Sequence, residues 1–248
     1  MTLKEKLYKG MSVIGTWCEL PSPEVINVLA KAGLDFVIID MEHGSMDFKT
    51  ASHMIFAAES DNCSPIIRVS RNDESDILRS LEIAPKGIIV PHIESVEDRK
   101  KAISHIKFSP LGMRSLNPYT RAGSYQSSKD FTKKQNEDIL SIIIIEGKKG
   151  ISQLEKIIDD KSVDIIYVGA YDLSIALGIP GDTKNKMIVE MLKDIVKKAK
   201  KKNKIVGYMF HDQDEYLFLK QLGVQFLCYR VDTAVILDAF KKITNFNQ

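Results

Sequence analysis

Short apolar runs rich in β-branched residues recur along this chain of 248 residues, and segments of helical periodicity separate them. Apolar runs bounded by polar residues are typical of strands buried on both faces, as in a parallel sheet covered by helices. The pattern predicts eight strands, at residues 13–17, 36–40, 65–69, 87–91, 140–146, 164–168, 204–209 and 225–229.

The helices between these runs have recognisable ends. Ser22 and Pro23 predict an N-cap followed by proline in the first turn, and Gly33 ends the same helix. Eight strand–helix repeats predict an α/β fold, a single (β/α)8 TIM barrel over residues 1–248. The alternative is an open doubly wound sheet, but no Gly-x-Gly-x-x-Gly signature follows the first strand.

One connection is much longer than the others and runs from 93 to 139, between the fourth and fifth strands. It contains a helix and then a turn that carries Arg114. Connections of this length in a compact domain are usually functional or disordered. The apolar and aromatic residues Tyr119, Tyr125 and Phe131 favour an ordered connection.

Composition limits the classes of partner. The formal net charge is only +2, with 27% charged residues, which does not suggest nucleic acid or a membrane surface. The three cysteines lack Cys-x-x-Cys spacing, which argues against a disulfide framework or structural zinc. The first residues do not resemble a signal peptide, and no apolar run approaches the ~20 residues of a transmembrane helix. We therefore expect a cytoplasmic protein.

Polar side chains stand where the predicted strands end, and in a TIM barrel the active site forms at the carboxyl ends of the strands. The second strand is followed by three such residues within four positions, Asp40, Glu42 and His43. The other strand ends contribute Arg68, His92, Glu146, Asp172, His211 and Arg230.

Glu146 closes an apolar strand, so its carboxylate must be paired or bind a metal, because an isolated buried charge is too costly. Asp172 follows the next strand and would lie beside it. Two hard oxygen ligands suit Mg²⁺ or Mn²⁺ better than zinc. Two alternatives stay open: Glu146 pairs with Arg68, or Asp172 is only a helix N-cap.

His43 is a candidate general base, because a neighbouring carboxylate such as Asp40 or Glu42 could fix its tautomer. The alternative is that a histidine after a strand only caps or bridges.

Six segments resemble, in order, the class II pyruvate aldolases. These are the metal-dependent enzymes of the 2-keto-3-deoxyglucarate and 2,4-dihydroxyhept-2-enedioate aldolase group, in the superfamily of the citrate lyase β-subunit. The resemblance covers nearly the whole chain. Any one motif is weak, but six in register are specific; they lie at 14–17, 40–44, 68, 112–115, 145–146 and 172–174.

The resemblance implies a divalent metal, Mg²⁺, Mn²⁺ or Co²⁺, bound by Glu146 and Asp172 and acting as a Lewis acid on pyruvate. It implies that Arg68 faces the enolate oxygen. It also implies that His43, held by Asp40, is the acid/base, acting through water.

Further roles follow from the same resemblance. The backbone around Gly169, Ala170 and Tyr171 would bind the substrate carboxylate, and Arg114 would also bind substrate. Glu42 and Glu82 would support the site or a subunit interface. A homo-oligomer, a hexamer, is implied as well.

Two departures from the family pattern concern the pocket. Ile144 stands where a glutamine is usual, two residues before Glu146 and therefore on the same face of the strand. Tyr171 replaces a small residue beside Asp172. Both changes could reshape the pocket for another keto acid or slow catalysis.

The expected function is reversible cleavage of a 4-hydroxy-2-keto acid into pyruvate and an aldehyde through a metal-stabilised enolate. One alternative is an acyl-CoA lyase of the malyl- or citramalyl-CoA type. Another is a barrel that binds a keto acid with little turnover, which Ile144 and Tyr171 motivate.

Overall fold

The computed structural model describes residues 1–244 and 246. Its eight strands form a closed parallel barrel in chain order, with the last strand paired to the first. Every strand lies within two residues of its predicted bounds, so the predicted barrel is confirmed. The strands are β1 Val13–Cys18, β2 Phe36–Asp40, β3 Ser64–Arg68, β4 Gly87–Val90, β5 Leu140–Ile145, β6 Ile165–Val168, β7 Ile205–Phe210 and β8 Phe226–Val231.

Helices alternate with the strands and surround the barrel. Most begin at a side-chain cap; Ser22, for example, accepts from the N–H of Val25 at 3.2 Å, as predicted. The helices are α1 Leu3–Tyr8, α2 Pro23–Lys31, α3 Phe48–Glu59, α4 Glu74–Glu82, α5 Val96–Ile106, α6 Phe131–Asp138, α7 Lys148–Ser152, α8 Leu154–Ile157, α9 Ala170–Leu177, α10 Lys186–Lys201, α11 Gln213–Leu222 and α12 Asp232–Thr244.

The core has two layers, because strand residues alternate between the inside and the outside of the barrel. Inside the barrel, Phe36 and Phe226 stack with ring centroids 3.9 Å apart. Along β5, Leu140, Ile142 and Ile144 face this interior. The same alternation directs Glu146 inward, just beyond the carboxyl end of the strand.

The long connection between β4 and β5 is ordered, as predicted. Its part from 121 to 139 lines a second cavity together with residues at the amino ends of the strands, such as Ser64, Lys86 and Leu140. Arg121 holds it there by donating to the Ile83 carbonyl at 2.8 Å. This is the end of the barrel opposite to the one where strand-end residues converge.

Arg114 belongs to this opposite end, which corrects its assignment as a substrate-binding residue. Its side chain is buried over the Phe108 ring, 4.5 Å from the centroid, and it pairs with Glu82 at 3.3 Å. Glu82 ends α4, and a helix that follows a parallel strand returns toward the amino end of the sheet. The Arg114–Glu82 pair is therefore a structural contact within the subunit.

Over residues 1–244 and 246, no helix combines the length and the apolar character that crossing a membrane would require. Cys18, Cys63 and Cys228 are free and buried.

Candidate active site

A cavity of about 350 Å³ opens at the carboxyl ends of the strands. It is where the sequence placed the candidate chemistry. Eight of the predicted site residues line it: Asp40, His43, Arg68, Glu146, Gly169, Ala170, Tyr171 and Asp172. His211 and Arg230, candidates by position alone, line it as well.

Arg68 is fixed by carboxylates from the neighbouring strand. The parallel register places Asp40 directly beside Arg68, and the guanidinium binds both oxygens of Asp40, with Nε 2.8 Å from Oδ1. Its Nη1 also lies 2.9 Å from Glu42. These contacts show that the alternative, a structural pair between Arg68 and Glu146, is wrong.

Neighbouring carboxylates favour the ionised form of the Arg68 guanidinium, and stacking on an aromatic ring fixes its position. Burial alone would lower the pKa of Arg68, but Asp40, Glu42 and Glu146 together raise it above its ordinary value. The guanidinium also lies over the ring of Trp17, 4.5 Å from the centroid, and Trp17 donates to the Tyr167 hydroxyl at 2.9 Å. A rigid positive charge therefore faces the cavity.

Asp40 orients the loop that carries His43, and not its ring, which corrects the expectation of a carboxylate-held imidazole. Oδ1 of Asp40 accepts from the main-chain N–H of Glu42 at 3.0 Å and of His43 at 3.3 Å. Over the described residues, the exposed imidazole itself makes no hydrogen bond. The ring is therefore available to a substrate or water in the cavity.

Glu146 is buried and anchored by His92, which follows β4. Its Oε1 accepts from the main-chain N–H of His92 at 2.7 Å, and the Nδ1 of the same histidine lies 2.8 Å away. Oε2 of Glu146 faces Gly169, where a Cβ would lie only 2.7 Å from that oxygen. A larger residue than glycine at 169 would therefore displace the carboxylate.

Asp172 lies in the first turn of α9 with an exposed carboxylate and lines the same cavity as Glu146. Gly169 is the N-cap of this helix, so the alternative role of Asp172 as an N-cap is wrong. The first N–H groups of a helix have no partner within it, and the residues of this first turn, Gly169 to Asp172, line the cavity.

Glu42 and His92 connect the guanidinium of Arg68 with the carboxylate of Glu146. Nε2 of His92 lies 2.9 Å from Oε1 of Glu42, while Glu42 is paired with Arg68. Glu42 does not line the cavity, and it contacts the site through Arg68 and His92. His92 was noted in the sequence only as a strand end, and its bridging role depends on contacts between separate loops.

The donor set fits a hard divalent cation. Among residues 1–244 and 246, no three His, Cys, Asp or Glu side chains form a metal-binding group. Mg²⁺, however, is commonly bound by one or two carboxylates and keeps several waters. The pKa of Glu146 is raised, chiefly by burial. His92 lowers this pKa, whereas the charges of Asp172 and Glu42 raise it further. A cation between Glu146 and Asp172 would relieve their repulsion.

Glu19, just after β1, is a cavity residue that the sequence reasoning missed. Burial raises its pKa, as do Asp40 and Asp232, whereas His43 and Arg68 lower it. The strand-end rule applied to the first strand would have found it.

A closed parallel barrel with carboxylates, an arginine and a histidine around one cavity at the carboxyl ends of its strands defines a TIM-barrel enzyme. The chain belongs to the HpcH/HpaI aldolase/citrate lyase family, whose sequence profile matches residues 13–239. The resemblance drawn from the motifs is thereby confirmed.

Characterised relatives include aldolases. A pyruvate aldolase of Rhizobium etli is 30% identical over 94% of this chain and 92% of its own length. A 5-keto-4-deoxy-D-glucarate aldolase of Salmonella paratyphi C is 28% identical, with 92% of each chain covered. The protein is therefore an enzyme of this aldolase family, as predicted.

Solved structures have the same fold. The HpcH/HpaI aldolase from Desulfitobacterium hafniense superposes with a TM-score of 0.94 at 26% identity, covering 99% of this chain and 96% of that one. The citrate synthase SbnG has a TM-score of 0.91 at 30% identity, covering 99% and 97%. The Mycobacterium tuberculosis citrate lyase β subunit, solved with oxaloacetate and magnesium, shares the fold at 16% identity and a TM-score of 0.61 over 90% and 92%.

Proposed function

We propose that this protein is a divalent-metal-dependent class II pyruvate aldolase, which reversibly cleaves a 4-hydroxy-2-keto acid into pyruvate and an aldehyde. The observation that carries the proposal is the pair Glu146 and Asp172 on one wall of a cavity that also contains the fixed guanidinium of Arg68. The names of the Rhizobium and Salmonella relatives support the same chemistry.

Glu146 and Asp172 would hold Mg²⁺ or Mn²⁺, and the cation would supply Lewis acidity toward the keto acid. Arg68 places fixed positive charge where negative charge develops on the enolate oxygen. The N–H groups of Ala170 and Tyr171 bind the substrate carboxylate. His43, whose imidazole has no hydrogen-bond partner among the described residues, moves the proton of the 4-hydroxyl group, directly or through water.

Coupled enzyme assays test this reading. Pyruvate release from a panel of 4-hydroxy-2-keto acids would be followed with lactate dehydrogenase, before and after EDTA and after addition of Mg²⁺, Mn²⁺ or Co²⁺. Exchange of the pyruvate methyl protons in D₂O reports enolisation without any aldehyde. We expect both activities to require metal and to be lost in Glu146→Gln. Activity that survives EDTA, or no activity with any acid or with pyruvate alone, would contradict the proposal.

A second candidate is cleavage or formation of an acyl-CoA thioester of the malyl- or citramalyl-CoA type. The similarity of this chain to the citrate synthase SbnG supports this second candidate. A thioester assay with the same metals distinguishes the two reactions. Metal-dependent pyruvate binding without either activity would identify the third alternative, a keto-acid-binding barrel with little turnover.

We propose a cytoplasmic location and a homo-oligomer, a hexamer by resemblance. The buried free cysteines support the cytoplasmic location. Exposed apolar side chains on α12, namely Ile236, Leu237, Phe240 and Ile243, support the homo-oligomer, because contiguous apolar surface usually marks an interface. Light scattering of the purified protein measures the assembly directly.

A further inference from the structure

A chain of three polar side chains stands on one wall of the cavity and has no role in the chemistry described above. The hydroxyl of Tyr171, on α9, lies 3.3 Å from Nε2 of His211. Nδ1 of His211, which follows β7, lies 3.0 Å from Oε2 of Glu215 on α11. All three residues line the cavity.

Glu215 decides which nitrogen of His211 carries the proton. Its Oε2 accepts from the main-chain N–H of His211 at 2.7 Å as well as facing Nδ1, and its Oε1 pairs with Lys184 at 2.7 Å. A carboxylate accepts and does not donate, so the ring proton is on Nδ1. Nε2 then accepts from the Tyr171 hydroxyl, which leaves the lone pairs of the phenol oxygen free to accept from a ligand.

The position of Tyr171 shows which part of a substrate would meet this oxygen. The main chain of Gly169 to Asp172 lies where the carboxylate of pyruvate would bind. The Tyr171 side chain leaves the same turn and is 51% exposed at the mouth of the cavity. A group that reaches the phenol must therefore extend beyond pyruvate, as the aldehyde portion of the substrate does.

The charges around this wall favour a neutral partner over an anionic one. The cavity is lined by five carboxylates and two guanidiniums. Arg230 is already paired with Asp238 at 2.6 Å, and Lys184 is paired with Asp212 and Glu215. No cation is left unpaired on this wall, among the described residues, to balance a second carboxylate.

We propose that Tyr171, held by His211 and Glu215, selects aldehydes that carry a neutral hydroxyl group, which donates to the phenol oxygen. This inference rests on the aldolase function proposed above and names its acceptor class. A site built to accept a hydroxyl discriminates against the analogue without one, because the polar group is then left unpaired.

Aldol addition of pyruvate to matched aldehydes tests the assignment. The pairs are glycolaldehyde with acetaldehyde, and glyceraldehyde with propanal. For each protein we would measure the ratio of kcat/KM for the hydroxylated aldehyde to that for its deoxy partner. Dividing each variant's ratio by that of the wild type cancels the intrinsic reactivity of the aldehydes.

We expect Tyr171→Phe and His211→Leu each to lower this ratio by about tenfold, the value of one hydrogen bond. The matched control is Tyr119→Phe, which removes the same hydroxyl from an exposed residue of the β4–β5 connection and should retain the wild-type ratio. The two variants act on different elements, so the loss of one through misfolding leaves the other to decide.

The outcomes separate this inference from the proposed function. Unchanged ratios in both variants, while wild-type protein exchanges pyruvate protons, would overturn the hydroxyl subsite and leave the aldolase standing. Absence of both proton exchange and aldol product in the wild type would overturn both statements.

Discussion

His92 touches the same carboxylate oxygen of Glu146 twice, with its main-chain N–H at 2.7 Å and its ring Nδ1 at 2.8 Å. The backbone of His92 has a φ of +56°, a left-handed conformation that is unfavourable for a residue with a side chain. This geometry reserves Oε1 of Glu146 for the loop after β4. The other oxygen, Oε2, lies beside Gly169, the N-cap of the helix whose first turn carries Asp172, and remains available to a metal ion.

Substitution of His92 should therefore weaken metal binding. In His92→Ala the main-chain contact can persist, but the ring no longer orients Glu146 or reaches Glu42. Loss of such a supporting contact typically lowers metal affinity by about 10–100-fold. Calorimetric titration with Mn²⁺ measures this without any assay of turnover. His105→Ala, on α5, is the control, and equal Mn²⁺ affinity in wild type and His92→Ala would refute the supporting role.

Removal of the His43 ring should impair proton transfer and leave metal binding intact. The imidazole lines the cavity and makes no hydrogen bond within the described residues, so nothing else depends on it. We expect His43→Ala to lower kcat by about 10²–10⁴-fold, the usual contribution of a general acid or base. Steady-state kinetics with saturating Mg²⁺, beside a Mn²⁺ titration, check both statements. A kcat close to that of the wild type would exclude His43 as the acid/base.

Replacement of Arg68 by lysine should cost activity although the charge is kept. Lysine cannot reproduce the two-point contact with Asp40 or the stacking on Trp17. We expect kcat/KM to fall by about 10²–10³-fold, as when one oxyanion donor is lost. Arg71→Lys, an exposed arginine just past β3, is the matched control. Similar losses in the two variants would mean that Arg68 is not special to the reaction.

Lys107 lies far from the cavity and should make the free energy of unfolding depend on pH. Burial lowers its pKa from 10.5 to about 8, and its ammonium donates to the Asn136 and Ile139 carbonyls. Between these two pKa values the unfolded chain binds more protons than the folded one, so the folded state gains stability as pH rises.

The matching comparison is Lys107→Met. From pH 7 to 9.5 the free energy of unfolding of the wild type should rise by roughly 2 kcal/mol relative to that of the variant. Urea unfolding at both pH values measures the difference, and the variant cancels other groups that titrate in this range. A constant difference would show that Lys107 keeps an ordinary pKa in the folded protein.

The sequence by itself determined the barrel and the strand ends that carry Asp40, Arg68 and Glu146, although it missed Glu19. Strand periodicity is a local property, so the run 140–146 was sufficient to place Ile144 and Glu146 on one inward face. Strand order then brought Glu146 next to the loop that carries Asp172, because consecutive strands of a barrel are neighbours. Residues at or just beyond the ends of seven strands, β1 to β3 and β5 to β8, accordingly line one cavity.

Tertiary structure alone decided the partners of these side chains. The sequence left Arg68 open to Glu146, and the register of β2 against β3 assigned it to Asp40. It grouped Arg114 with the substrate, whereas the β4–β5 connection carries it to the opposite end of the barrel. The contacts that His92 makes, and the separate contact between Tyr171 and His211, each join segments that are far apart in the chain. Barrel closure creates them, and no local pattern records which loops it brings together.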